Sequence, residues 1–114
     1  DVRGGARWLV VITNDEWFGN GAALEQHAAM SAFRAVENHV PLARAANTGI
    51  TAVVDPRGRI LEQTKLFDRA VLVREVPFVS ETTFYTRHGD LFAYACSAVA
   101  LAALGATLTR FRPR

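Results

Sequence analysis

Eighteen consecutive residues from Leu91 to Leu108 carry no charge: Leu-Phe-Ala-Tyr-Ala-Cys-Ser-Ala-Val-Ala-Leu-Ala-Ala-Leu-Gly-Ala-Thr-Leu. A helix crosses a bilayer in roughly 20 apolar residues, so this run is nearly a full span. It leaves roughly 80 of the 114 residues for everything else, a thin core for an enzyme. The abundance of alanine fits a buried core helix. The length of the run favours a transmembrane helix over 91–109, as do Tyr85 and Tyr94 near one end and Arg110, Arg112 and Arg114 at the other. The positive-inside rule then places a basic tail, 110–114, in the cytoplasm and the preceding domain outside it.

Charge narrows the class further. The net +2 arises from 13 basic and 11 acidic residues, and the excess collects in the last arginines. A nucleic-acid surface needs Lys and Arg striped across a folded face, so no nucleic-acid partner is expected. One cysteine, Cys96, excludes an internal disulfide and a Cys-rich metal site. His27, His39 and His88 are scattered without metal-ligand spacing, and neither a metal nor another cofactor is expected. The chain begins at Asp1 with no methionine and no signal-like apolar segment, and reads as the C-terminal piece of a longer protein.

Ahead of the apolar run, hydrophobic periodicity changes along the chain. The β-branched run Trp8 to Thr13 predicts a strand, and Ala22 to Asn38 a helix whose loose apolar face holds Leu24, His27, Ala28, Ser31, Phe33, Ala35 and Val36, ended by Pro41. Short β-prone segments follow at Leu42 to Ala46, Ile50 to Val54, Arg59 to Gln63 and Ala70 to Val76. Asp55-Pro56-Arg57-Gly58 is a hairpin turn, because Pro56 presets φ and Gly58 tolerates a positive one. One helix between strands, then consecutive hairpins, predicts an α/β fold with a mixed sheet packed against helices.

The first strand runs directly into Asn14-Asp15-Glu16-Trp17-Phe18-Gly19. A polar, aromatic, glycine-closed turn at the carboxyl end of a strand stands where α/β proteins place ligand sites. Several further motifs follow in order: Gln26-His27, Arg34-Ala35-Val36-Glu37-Asn38, Pro41 through Ala52 with Asn47-Thr48-Gly49 at its centre, Asp55-Pro56-Arg57-Gly58, and Tyr85-Thr86-Arg87-His88-Gly89-Asp90. With the terminal apolar helix, this order resembles the C-terminal part of the apolipoprotein N-acyltransferases, a membrane branch of the nitrilase, or carbon-nitrogen hydrolase, superfamily.

The resemblance covers essentially the whole chain and implies a C-terminal portion of a nitrilase-like α-β-β-α sandwich over 1–78, a linker over 79–90, and a final transmembrane helix. It implies an enzyme of the bacterial inner membrane, multi-pass when intact, with its catalytic domain in the periplasm. That enzyme moves an acyl chain from a phospholipid onto a cysteine as a thioester, and then to the N-terminal amine of the diacylglyceryl-cysteine of an apolipoprotein. Of the Glu-Lys-Cys triad that the resemblance implies, no member can be placed here, so the isolated chain is expected to be inactive. Cys96 is no substitute, since an apolar helix disfavours a thiolate. A soluble amidase and a non-catalytic membrane-anchored interaction domain remain as alternatives.

What the resemblance assigns is the wall of a substrate site. Trp17 and Phe18 match an aromatic pair that holds an acyl chain or shapes the pocket mouth; otherwise they close the core at a strand end. Asn14 and Asp15 orient catalytic groups, or cap the turn through Asx geometry. Asn47, Thr48 and Gly49 match a loop facing the site, or form an ordinary turn. Arg34, Glu37 and Arg44 read as structural, the first two as an ion pair three apart on one helix face, and His27 as a satisfied buried histidine.

Overall fold

Alternating side chains make Leu9–Thr13 the first strand, β1: Leu9 and Val11 turn toward the protein core while Val10 and Ile12 face outward, 64% and 83% exposed. The computed structural model describes residues 2–79 and 81–110, the last two by backbone alone. After β1 come the helix α1 (Ala23–Asn38), three strands β2 (Leu42–Ala46), β3 (Ala52–Val54) and β4 (Ile60–Gln63), and two helices, α2 (Phe84–His88) and α3 (Leu91–Arg110). Short 3-10 turns occupy Val2–Gly4 and Glu16–Phe18.

The four strands form one sheet in chain order. β1 and β2 run parallel, from Leu9 opposite Leu42 to Thr13 opposite Ala46, and α1 is the crossover between them. β2, β3 and β4 are antiparallel neighbours, so the sheet is mixed, as its patterning predicts. One face is packed on α1, where Ala35, Leu42, Ala52 and Val54 form a buried cluster flanked by Leu9, Val11, Ala32 and Ile50. In α1 only Leu24, Ser31 and Ala35 are buried; Phe33 and Val36, expected on its apolar face, are 65% and 45% exposed.

The ends of these elements have local causes. α1 stops at Asn38 because His39 adopts the left-handed conformation, φ 52°, with its N–H donating to Val36 and that of Val40 to Ala35. Pro41 lies beyond this cap and reinforces the stop. The β3–β4 hairpin turns at Asp55-Pro56-Arg57-Gly58, where the Gly58 N–H donates to the Asp55 carbonyl and Gly58 has φ +79°. Burial pushes the Asp55 carboxyl up, but the backbone N–H and guanidinium of Arg59 and the backbone N–H of Arg57 outweigh it and hold the group below the usual carboxylate range.

One expectation changes. Ala70 to Val76 forms no strand among the described residues: a strand needs a ladder partner, and Val71 and Val73 stand 90% and 86% exposed without one. The expected linker, 79–90, contains α2. Thr83 caps this helix, accepting from the Thr86 N–H at 3.0 Å and donating to the Glu37 carbonyl at the end of α1. Thr86 donates to Asn38, Arg3 donates to the Thr86 carbonyl at 2.7 Å, and the Arg34 guanidinium lies 5.8 Å from the centre of the Tyr85 ring. α2 is therefore clasped to α1, and two residues, Gly89 and Asp90, separate it from α3.

In α3 the window Leu91–Leu108 is long and apolar enough to cross a membrane, and none of it is buried against the rest of the chain. The basic tail expected at 110–114 lies outside the described residues, apart from the backbone of Arg110.

Candidate functional site

β1 and β2 are parallel and in register, so the turn after Thr13 and the loop after Ala46 emerge side by side at one edge of the sheet. Asp15 joins them. Its side chain is fully buried, its N–H donates to Asn47 Oδ1 at 3.2 Å, and its carboxylate accepts from the Thr13 hydroxyl at 2.9 Å. Arg44, from the middle of β2 and 2% exposed, donates to Asp15 Oδ2 at 2.5 Å. His27, from the second turn of α1, places Nδ1 2.9 Å from Asp15 Oδ1. An ionised carboxylate only accepts, so the ring donates through Nδ1.

Arg44 reaches further than this pair. Its Nη1 donates to the Ser31 hydroxyl at 2.8 Å and its Nε to the Ile50 carbonyl at 3.1 Å, while the same hydroxyl donates to the His27 carbonyl. The guanidinium thus spends its fork of donors on α1, on the chain beyond the Asn47 loop, and on the turn after β1. Burial pushes the Asp15 carboxyl up, but the Thr13 hydroxyl, the Arg44 charge and the His27 ring together hold it below the usual carboxylate range.

On this root stands the aromatic pair. The Phe18 N–H donates to the Asp15 carbonyl, closing the 3-10 turn, and the Glu16 N–H donates to Asn14 Oδ1. Trp17 projects with 86% of its surface exposed; Phe18 is 45% exposed and meets the His27 ring edge to face, with centroids 5.5 Å apart. A groove of about 440 Å³ between α1 and β1 is lined by Val11, His27, Met30, Ser31 and Phe33 among others, and His27 is its link to the Phe18 ring.

The structure therefore brings Asp15, Asn47 and Gly49 together and gives Asn14 the turn-capping role. Asn47 Oδ1 also accepts from the Thr48 N–H, and the Thr48 carbonyl accepts from the Phe67 N–H, which ties that loop down on its far side. Trp17 does not close the core at the strand end. His27 is satisfied, as expected, but its side chain keeps a third of its surface exposed. Arg34 and Glu37 form the expected pair, Nε to Oε2 at 2.9 Å and Nη2 to Oε1 at 3.0 Å.

Arg44 was legible only as a structural residue, although a signal for more was present. A charge in the middle of the otherwise apolar segment Leu-Ala-Arg-Ala-Ala needs a partner if the strand buries it. Ser31 carried no comparable signal. Cys96 lies exposed on α3, away from this cluster in the chain, and among the described residues no three His, Cys, Asp or Glu side chains gather as a metal site. What the arrangement offers is an exposed aromatic pair on a turn rooted in the buried Asp15–Arg44 pair.

Residues 2–84 match the family model described as carbon-nitrogen hydrolase. Curated relatives include an apolipoprotein N-acyltransferase of Geobacter metallireducens, 58% identical over 85% of this chain and 19% of that protein. Others are one of Chlorobaculum tepidum, 42% identical over 87% of the chain and 19% of the protein, and one of Thermotoga maritima, 40% identical over 97% and 22%. The chain spans about a fifth of the length of these relatives.

Proposed function

The chain belongs to the carbon-nitrogen hydrolase family and is related to the apolipoprotein N-acyltransferases, and from that premise we propose that it forms one wall of the substrate site of a membrane-bound N-acyltransferase. In the reaction a cysteine thiolate attacks an ester carbonyl of a phospholipid; the ester C–O bond breaks, a thioester forms and the lysophospholipid leaves with a proton on its freed oxygen. The free α-amine of an apolipoprotein's lipid-modified N-terminal cysteine then attacks the thioester carbonyl, forming an amide and releasing the thiolate. Trp17, Phe18, Asn14, Asp15, Asn47, Thr48 and Gly49 are the wall residues; Cys96, inside an apolar helix, takes no part in the chemistry.

The observation that carries this reading is Trp17, a large aromatic held 86% exposed on a turn whose root is a fully buried carboxylate. Exposed apolar surface of this size serves a ligand with apolar surface of its own, and an acyl chain is such a ligand. α3 supports the same reading, because it brings the site to a membrane, where phospholipid and lipidated polypeptide are both found. With the arginines after the span on the cytoplasmic side, the site faces the periplasm of the bacterial inner membrane.

The test is to express the protein encoded by the gene in cells depleted of their own N-acyltransferase, and to weigh the N-terminal peptide of a major lipoprotein by mass spectrometry. A third acyl chain on that peptide is the expected result. Diacylated peptide alone, with the protein present in the membrane fraction, would overturn the reading.

A further inference from the structure

We propose that Arg44 is a positioning residue for the Trp17–Phe18 pair: acting through Asp15, it fixes the turn that displays the two rings and aligns it with the Asn47–Gly49 loop opposite. What the rings do rests on the acyltransferase reading; how they are held does not.

Three observations carry the inference. First, Arg44 is 2% exposed and Asp15 fully buried, so two charges have been taken out of water in a small core. A buried pair is weak evidence for stability, since apolar residues of similar volume serve a core as well or better. Its use here is direction, because the planar guanidinium offers several donors at fixed angles.

Second, those donors reach three separate elements. Nη1 meets Ser31 of α1, Nε meets the carbonyl of Ile50, and Nη2 meets Asp15. The guanidinium itself is therefore fixed from the helix side and from the far side of the second loop. Third, Asp15 has no freedom of its own. Thr13 and His27 hold Oδ1, Asn47 holds its N–H, Gly49 packs against the carboxylate, and its carbonyl accepts from Phe18 at 3.1 Å. A displacement of Arg44 passes through Asp15 into the turn bearing Trp17, and little else is available to absorb it. The pair Asp55–Arg59 shows the contrast: its arginine is 70% exposed and serves only its own hairpin.

The experiment uses the full-length protein in detergent, labelled with 5-fluorotryptophan, with the Trp17 and Trp8 fluorine resonances assigned by Trp17→Phe and Trp8→Phe. Arg44→Lys keeps the charge and loses the fork; Ser31→Ala removes one anchor of the guanidinium and leaves Arg44 in place. Both variants are expected to shift or broaden the Trp17 resonance while leaving that of Trp8 unchanged. In Arg44→Lys acyl transfer is expected to fall by roughly tenfold to a hundredfold, as misplaced contact groups do. A lower melting temperature with the Trp17 resonance unmoved in both variants would mean a merely structural Arg44 and would overturn the proposal. If Arg44→Lys does not accumulate, the Ser31→Ala spectrum decides by the same criterion. A Trp17 resonance that shifts in both variants, where the wild-type protein itself shows no acyl transfer, would sustain the positioning role and refute the acyltransferase reading.

Discussion

A Cβ built on Gly49 would stand 2.1 Å from Asp15 Oδ2, so the two loops of the site meet with no room for a side chain between them. Asp15 cannot retreat, because Arg44, Thr13 and His27 hold its carboxylate from other sides. Gly49→Ala should therefore destabilise the protein by about 1–3 kcal/mol, the usual cost of overpacking, and reduce acyl transfer along with it. Thermal melts of the two proteins in the same detergent check the first part. An unchanged melting temperature would mean that the loops separate freely.

Replacing Asp15 by Asn leaves the Arg44 charge buried without its counter-ion, which costs about 3–5 kcal/mol near neutral pH. The pH dependence has a definite sign. Because the folded carboxyl titrates below its unfolded value of about 3.9, its stabilising effect is complete above that value and is lost as pH falls through the lower folded one. Melting temperatures measured from pH 7 down to pH 3 should converge between the wild type and Asp15→Asn. The variant keeps part of the acid sensitivity, since Asp55 is shifted in the same direction. Parallel curves over the whole range would count against a titrating Asp15.

Trp17 allows activity to be separated from folding. A side chain 86% exposed leaves no cavity when truncated, so Trp17→Ala should change stability by no more than about 0.5 kcal/mol and accumulate normally. Its transfer activity should nevertheless be lost. Unchanged maturation of lipoproteins in cells that carry only the variant would remove Trp17 from the wall of the site.

Much of this was written in local patterns. The β-branched run of Trp8 to Thr13, the helix formers of Ala22 to Asn38 and the turn at Asp55-Pro56-Arg57-Gly58 each settle a backbone conformation within a few residues, and each appears within a residue of where its pattern places it. Trp17 and Asp15 stood out in the sequence by their place in the turn after a strand, and the structure leaves the first exposed and buries the second. Other features depended on distance in space. Arg44 and Ser31 lie 13 residues apart and Arg44 and Asp15 lie 29 apart, so only the parallel register of β1 and β2 with α1 across them converts three ordinary polar residues into one cluster. Ala70 to Val76 has strand composition, but a strand forms only where another offers its backbone, and composition cannot report that. α2 was hidden for a related reason: five residues are too few to hold a helix by propensity, and contacts with α1 supply what propensity does not.

Those contacts make α2 a testable joint between the sheet domain and α3. The Thr83 hydroxyl accepts from the Thr86 N–H and donates to the Glu37 carbonyl, so Thr83→Ala removes the cap and the tie to α1 together. Loss of a threonine cap costs about 1 kcal/mol, which raises the population of a locally opened α2 roughly fivefold. Arg87 lies exposed within that helix and is a trypsin site once the backbone is extended. Under brief digestion of the full-length protein in detergent, cleavage after Arg87 should accelerate by about that factor, while cleavage after Arg69 in the irregular segment stays the same. Equal acceleration at both sites would indicate general destabilisation, and no acceleration at either would mean that the clasp is held by Thr86, Arg3 and Arg34 without Thr83.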